Sequence, residues 1–443
     1  MPQPTGAMHE VHVNELFFST TDLKGRIQLA NSVFVDMSRY PLNKLIGAPH
    51  NVIRHPDMPG GAFKIIWDRI GDQKPTCAYV KNLGADGSAY WAFATITPVD
   101  GGYLSVRSLP CRQDVLDQVE RMYHTARDSE LERGGVSAAA AAANGADSLA
   151  KSLAEAGFDS YETFQLHALP AEVEARAKLA SELPARRSDG QYGEMYAGVR
   201  QIDSQIRALF GDLASFQELA STLDDRVLSS HGVVESLDTA INEARLTAER
   251  LADRAPVLAS SAGPMHVQCT KVKDALQSLH RQVDGVLSNR AELRFTVALC
   301  ALQSETLGRY IAGVMDGKED RVDAEPTSAA LTGTLTTQLQ DLAERLDANI
   351  ATTKQMAGDL EDARMAFERI QRLATAWRAL IERNKVESHF DEYLPLLDSA
   401  LEDGTVQLES LMDSAKSFES SAVGFNPALL LARLARVRSS ARG

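Results

Sequence analysis

The chain has 443 residues, 44% of them hydrophobic and 24% charged, enough for two or three domains whose cores need neither disulfides nor metals. Sixty acidic against 46 basic side chains leave a net charge of -14, which excludes a general basic surface for nucleic acid or anionic membrane. Apolar runs such as 295–302 are broken by Arg294 and Gln303 well before the roughly 18–20 residues of a membrane span, and residues 1–13 lack the pattern of a secretory signal.

In chain order, residues 16–21 read as a strand, 22–25 (Asp-Leu-Lys-Gly) as a tight turn, and 26–30 as the returning strand of a hairpin. Residues 31–47 carry Val35, Leu42, Leu45 and Ile46 between polar positions, the pattern of short helices closed by a glycine. Three further strands, 76–83, 88–98 and 103–108, are joined by Ala85-Asp-Gly87 and Asp100-Gly-Gly102, turns that permit positive φ. The sum is an α+β unit: a five-stranded antiparallel sheet with helices on one face and a concave side able to take a planar ligand.

The chemistry concentrates between the two groups of strands. His50, Arg54, His55 and Asp57 lie in a segment constrained by Pro49, Pro56 and Pro59, with Phe63 and Trp67 just beyond. A guanidinium near a helix start suits a phosphate and an indole suits a flat ring, so the combination fits a dinucleotide-like flavin. Taken singly, Trp67 is better explained as core and Asp57 as a helix cap, and only the combination shifts the balance.

Residues 16–112 resemble the PAS domain of the aerotaxis receptor family. The resemblance is carried by Ser19-Thr-Thr-Asp22, Ala30-Asn31, Phe34, Pro49-His-Asn51, Arg54-His-Pro-Asp-Met-Pro59, Phe63, Trp67, Lys81-Asn82, Gly87 and Tyr90-Trp91. It implies non-covalent FAD and a report of cellular redox state or oxygen through reduction of the isoalloxazine ring. The family's flavin-pocket positions fall on Asn31, His50, Arg54, His55, Asp57, Trp67 and Asn82. Trp67 is then expected at the ring or adenine, Asn31 and Asn82 at the ring's polar edge, and Arg54 at a phosphate or anchoring its loop. Alternatives are a cofactor-free dimerisation scaffold and a haem-binding gas sensor using His50 or His55 as axial ligand.

After Arg112 the texture changes to long stretches rich in Ala, Leu, Glu and Arg. Residues 134–146 read as a flexible, Ala-rich joint, and Pro170 suggests a break within 149–180. Heptad-spaced apolar residues run from Val199 to Leu251, with Ser230 interrupting, and again from Val272 to Val314, with Arg290 and Ser304 in the seam. The organisation expected is a PAS domain over 14–112, a helical connector over 113–190 and coiled-coil helices over 191–317. A loop over 318–328, a long helix over 329–385, and short helices with a basic tail over 386–443 complete it. Helices of this length are stable mainly through packing, so they must bundle internally, dimerise, or both.

Cys77, Cys111, Cys269 and Cys300 make no CxxC pair, as expected of reduced thiols in the cytoplasm. No Ser/His/Asp order, metal-ligand cluster or Walker loop points to catalysis. Unlike aerotaxis receptors, the chain carries no membrane anchor, and residues 237–245 and 299–307 echo the family's kinase-contact tip only faintly. The expectation is a non-enzymatic, cytoplasmic homodimer that binds FAD, signals to a protein partner of which a chemotaxis-type kinase complex is one candidate, and engages neither nucleic acid nor membrane.

Overall fold

The structure, a computed structural model, describes residues 2–132, 136–422 and 427–440. It divides into two units, one drawn from residues 1–210, 291–343 and 427–443, the other from 211–290 and 344–426.

In the first unit, strands β1 (Phe17–Asp22), β2 (Ile27–Ala30), β3 (Thr76–Leu83), β4 (Ala89–Val99) and β5 (Gly102–Ser108) form one antiparallel sheet in the order β2-β1-β5-β4-β3. The first hairpin turns where expected. The Asp22 carboxylate accepts from the backbone N–H of Lys24 and Arg26, both at 2.8 Å, and Gly25 takes φ +72°, a conformation that side chains disfavour. A Cβ at Gly25 would also meet the Trp67 ring at 3.0 Å. Between β2 and β3 lie the short helices α1 (Ser32–Ser38) and α2 (Leu42–Leu45), a 3-10 turn (His50–Ile53), and α3 (Gly60–Gly71), which cover one face of the sheet.

The expected connector is three packed helices: α4 (Gln113–Glu132), α5 (Ala138–Glu155) and α6 (Tyr161–Leu179). The Ala-rich stretch read as a flexible joint is ordered helix from Ala138, capped by the Ser137 hydroxyl; Arg133, Gly134 and Gly135 lie outside the described residues. Its small residues serve close packing, since a Cβ at Gly61 of α3 would lie 2.2 Å from the Ala146 nitrogen. The buried Glu130 of α4 caps α3, accepting from the N–H of Gly60 and Gly61 at 3.0 and 2.8 Å. Helix α6 also runs unbroken through Pro170, because Phe164, Leu169 and Glu172 are buried on either side of the proline and hold the helix across it.

The region read as coiled coil over 191–317 is three helices: α7 (Gly190–Arg250), α8 (Pro256–Ser288) and α9 (Arg290–Met315). Helix α9 buries its heptad positions Val297, Leu307, Ile311 and Val314 and other positions besides. Its Phe295, Ala298 and Leu299 share a core with the sheet, Gln303 donates to Thr97 of β4 at 3.1 Å, and Tyr310 meets the Phe18 ring edge-on at 5.4 Å. The charged loop ends earlier than expected, since α10 (Ala324–Asn384) tolerates Pro326 in its first turn, where an N–H would lack a partner anyway. Of the region expected as short helices with a basic tail over 386–443, the first part is one long helix, α11 (Leu394–Ala422), and the basic tail forms α12 (Pro427–Ser440).

In the second unit the seam residues pack within the one chain. Leu223, Leu237, Ile241, Val272, Leu276, Leu360 and Ile370 are buried in a single core, with Trp377 donating to the Leu258 carbonyl at 3.2 Å and Phe216 stacked on Phe418. A second copy is not needed to cover these positions. No helix among the described residues is long and apolar enough to cross a membrane.

Candidate ligand pocket

Strand alternation decides which side chains reach the concave face of the sheet. Val80 and Asn82 of β3, Ala94 and Ile96 of β4, and Tyr103, Ser105 and Arg107 of β5 point into one cavity of about 230 Å³, in register: Ala94 stands opposite Arg107 and Ile96 opposite Ser105. Helix α3 supplies Phe63, Ile66, Trp67 and Ile70, and the loops supply Lys24, Gly25, His50 and Arg54. The volume lies below the roughly 300–1,000 Å³ usual for whole ligands, which suits a fused ring with the rest of its molecule outside.

Four of the seven sequence-predicted residues line this cavity. Trp67 is 43% exposed and set edge-on to Tyr103 at 5.7 Å, leaving indole surface for stacking. The Arg54 guanidinium donates to the Met58 carbonyl at 2.6 Å and lies 4.3 Å over the Phe63 ring, which anchors the proline-bounded loop. Burial lowers its pKa, with Glu130 opposing. Asn82 is 5% exposed, and its Nδ2 donates to no protein group. His50 accepts at Nε2 from Arg107 and stacks on Phe34 at 5.9 Å. Burial, reinforced by the Arg107 charge, holds its pKa well below the usual histidine value, so the ring is neutral with its proton on Nδ1.

The other three sit elsewhere. Asn31 does not meet the cavity; its Oδ1 accepts from the N–H of Phe18 and Phe34 at 3.0 and 3.2 Å and its Nδ2 donates to the Leu16 carbonyl, so the amide is spent capping α1 and joining it to β1. His55 is buried away from the cavity and accepts at Nδ1 from the Asp57 N–H at 3.2 Å. Asp57 is exposed and pairs with Lys81 at 3.6 Å. A proline-rich motif fixes its own loop as much as it faces a ligand, which a linear reading does not separate.

What that reading missed lies on β5 and in the hairpin turn. Among the described residues, the buried Ser105 Oγ has no partner, and Arg107, 3% exposed, donates only to Ser19 Oγ at 3.4 Å and to His50. Burial lowers the Arg107 pKa to about 10. Lys24, Arg54 and Arg107 line the cavity, and no Asp or Glu does. The available signal was a period-2 pattern, Tyr103, Ser105 and Arg107, in a strand adjoining the motif-bearing face.

A sheet in the order β2-β1-β5-β4-β3, covered by short helices over a partly polar cavity, defines a PAS-type fold. The N-terminal region is 40% identical over 110 residues to the aerotaxis receptor of Escherichia coli (strain K12), a match that takes in 24% of this chain. It spans 22%, about a fifth, of that relative's length. A solved structure of a fungal LOV domain photoreceptor aligns at 18% identity over 24% of this chain and 81% of its own, with a TM-score of 0.20. No family model matches the chain.

Proposed function

We propose that this protein is a non-enzymatic, cytoplasmic redox or oxygen sensor that holds FAD in its PAS domain and passes the state of the ring to its helices and thence to a protein partner. The observation that carries the reading is the charge of the pocket: three cations and no carboxylate in a chain of net charge -14, beside the unpaired Asn82 Nδ2 and Ser105 Oγ and an exposed indole. An anionic, flat, hydrogen-bonding ligand satisfies all of these together. When bound, the isoalloxazine ring supplies redox chemistry. Asn82 and Ser105 would hold its polar edge, Trp67 would stack on it, and Lys24 at the turn would meet the diphosphate.

The haem alternative fits less well. An iron bond at His50 Nε2 would displace Arg107, and His55 does not line the cavity.

A route outward supports the signalling half. On β3, Val80 and Asn82 face the pocket while Tyr79 faces the other way and donates to Glu172 of α6 at 2.6 Å. The same carboxylate accepts from the N–H of Cys111 and Arg112, where β5 leads into α4, at 2.6 and 3.1 Å. One turn further on, Arg176 makes a two-pronged bond to Glu305 of α9 at 2.9 and 3.1 Å. A shift of β3 is therefore felt by α6 and α9 through buried polar groups that tolerate little slack. Homodimerisation and a chemotaxis-type partner extend this reading.

The test is the absorption spectrum of the full chain after incubation with FAD and removal of free cofactor. Paired flavin bands in the near ultraviolet and blue are expected, with Asn82→Leu reducing uptake by about tenfold, the worth of one hydrogen bond to a buried group. Colourless protein, or uptake indifferent to Asn82 and Trp67 substitutions, would overturn the flavin assignment.

A further inference from the structure

Arg107 has an unusual setting. It is as buried as a core residue, and among the described residues no carboxylate pairs with it. A guanidinium offers five N–H donors, and here two contacts use them, a long one to Ser19 Oγ and one to the neutral His50 ring. Its carbon lies 5.1 Å from the Phe34 centroid and 6.0 Å from that of Phe17, so aromatic faces provide part of its counter-charge. Across the ladder stands Ala94, too small to shield it from the cavity, and two residues along β5 is Ser105 with its unpaired hydroxyl. Burying an unpaired cation is costly unless something anionic completes the site.

Resting on the flavin reading, we propose that Arg107, with Ser105 beside it, is the group that fixes the charge preference of the pocket, binding the reduced, singly negative ring more tightly than the oxidised, neutral one. The charge balance is simple. A hydride donor adds two electrons and one proton to the neutral ring and leaves it with one negative charge, and the guanidinium opposes uptake of a second proton. His50 keeps the guanidinium in place as an uncharged acceptor and adds no second cation. Any preference for one redox form appears by linkage as a shift of the midpoint potential, about 30 mV for each tenfold in affinity when two electrons move.

The experiment uses the full chain loaded with FAD, its potential measured against reference dyes and its affinity measured for oxidised and dithionite-reduced FAD. Arg107→Gln is expected to weaken binding of reduced FAD at least about tenfold more than that of oxidised FAD, as for loss of one charge-assisted hydrogen bond, and to lower the potential by about 30 mV or more. Arg107→Lys should retain most of the wild-type potential. Equal weakening of both forms, or an unchanged potential, overturns the proposal while leaving FAD binding intact; wild-type protein that takes up no FAD removes the flavin reading itself. Should Arg107→Gln hold neither form, Ser105→Ala decides: a smaller fall in potential supports the proposal, and no change refutes it.

Discussion

Arg107 and Arg176 are each 3% exposed, but the fold treats them in opposite ways. Arg176 meets Glu305, which also accepts from Arg207 and Arg309, in a network of α6, α7 and α9 that includes Asp203 beside Arg207. Burial alone would raise the Glu305 pKa, but Arg176, Arg309 and Arg207 outweigh it and hold the carboxyl at about 2. Arg107 meets a neutral imidazole, a hydroxyl and two aromatic rings. The first arrangement gives its cations carboxylate partners from the chain and joins helices, although among the described residues Arg176 Nη1 itself is left without a partner. The second is left open on one side, and that side is the cavity. Burial of a charge therefore does not by itself distinguish scaffold from site; what does is whether its partners come from the chain.

The largest test of this contrast is Glu305→Ala, which leaves the buried Arg176 without its carboxylate while Arg207 keeps Asp203 and Arg309 keeps Asn14 and the Ser181 carbonyl, and should cost about 3–5 kcal/mol in urea unfolding of the full chain. A loss below about 1 kcal/mol would mean the network is ornamental.

Acid should separate the two regions next. The folded pKa of His50 is depressed, so below about pH 6.5 only the unfolded chain takes up that proton, and stability falls with pH by about 1.4 kcal/mol per unit until the folded form also protonates. Glu305 is depressed as well, but as a carboxylate its contribution is complete above its usual value of about 4.5 and is lost only as pH falls from there towards about 2. Unfolding followed between pH 7.5 and 5.5 should accordingly show a slope that His50→Gln reduces and Glu305→Gln does not. The reverse pattern would break the comparison.

Smaller still is Arg107→Met without ligand, where an unpaired cation gives way to an apolar chain of similar length; stability should stay within about 1 kcal/mol or rise. A loss as large as that of Glu305→Ala would show Arg107 to be scaffold. The smallest effect belongs to Asp57→Asn, exposed and outside the cavity, which should leave stability within about 0.5 kcal/mol and FAD uptake unchanged.

Much of the first unit was legible in the amino-acid order because its determinants are local. Alternating apolar residues and Asp- and Gly-bearing turns fix strands and hairpins within a few residues of themselves, and β3 begins and ends where the pattern places it. Trp67, Arg54, His50 and Asn82, placed together by the family resemblance, do line one cavity. Composition misled at 138–146, where Ala and Gly looked like slack, because small residues mark both flexible joints and tight helix contacts, and only a neighbour such as α3 tells them apart. Heptad spacing was incomplete at α9: its stripe residues Val297, Leu307 and Ile311 are buried, but the spacing does not state that Phe295, Ala298 and Leu299, off the stripe, are covered as well, and by the sheet.

The sequence by itself determined the elements, the strand-and-turn texture of the first 110 residues and the apolar stripes of the helices, since propensity and periodicity act over a few neighbouring residues. Only the tertiary structure decided that Arg107 and Ser105 share a cavity with Trp67, that Asn31 and His55 are spent inside the scaffold, and that α9 lies against the sheet. Those outcomes depend on which long-range partners satisfy each buried polar group, and such partners lie up to hundreds of residues away along the chain, as Gln303 does from Thr97.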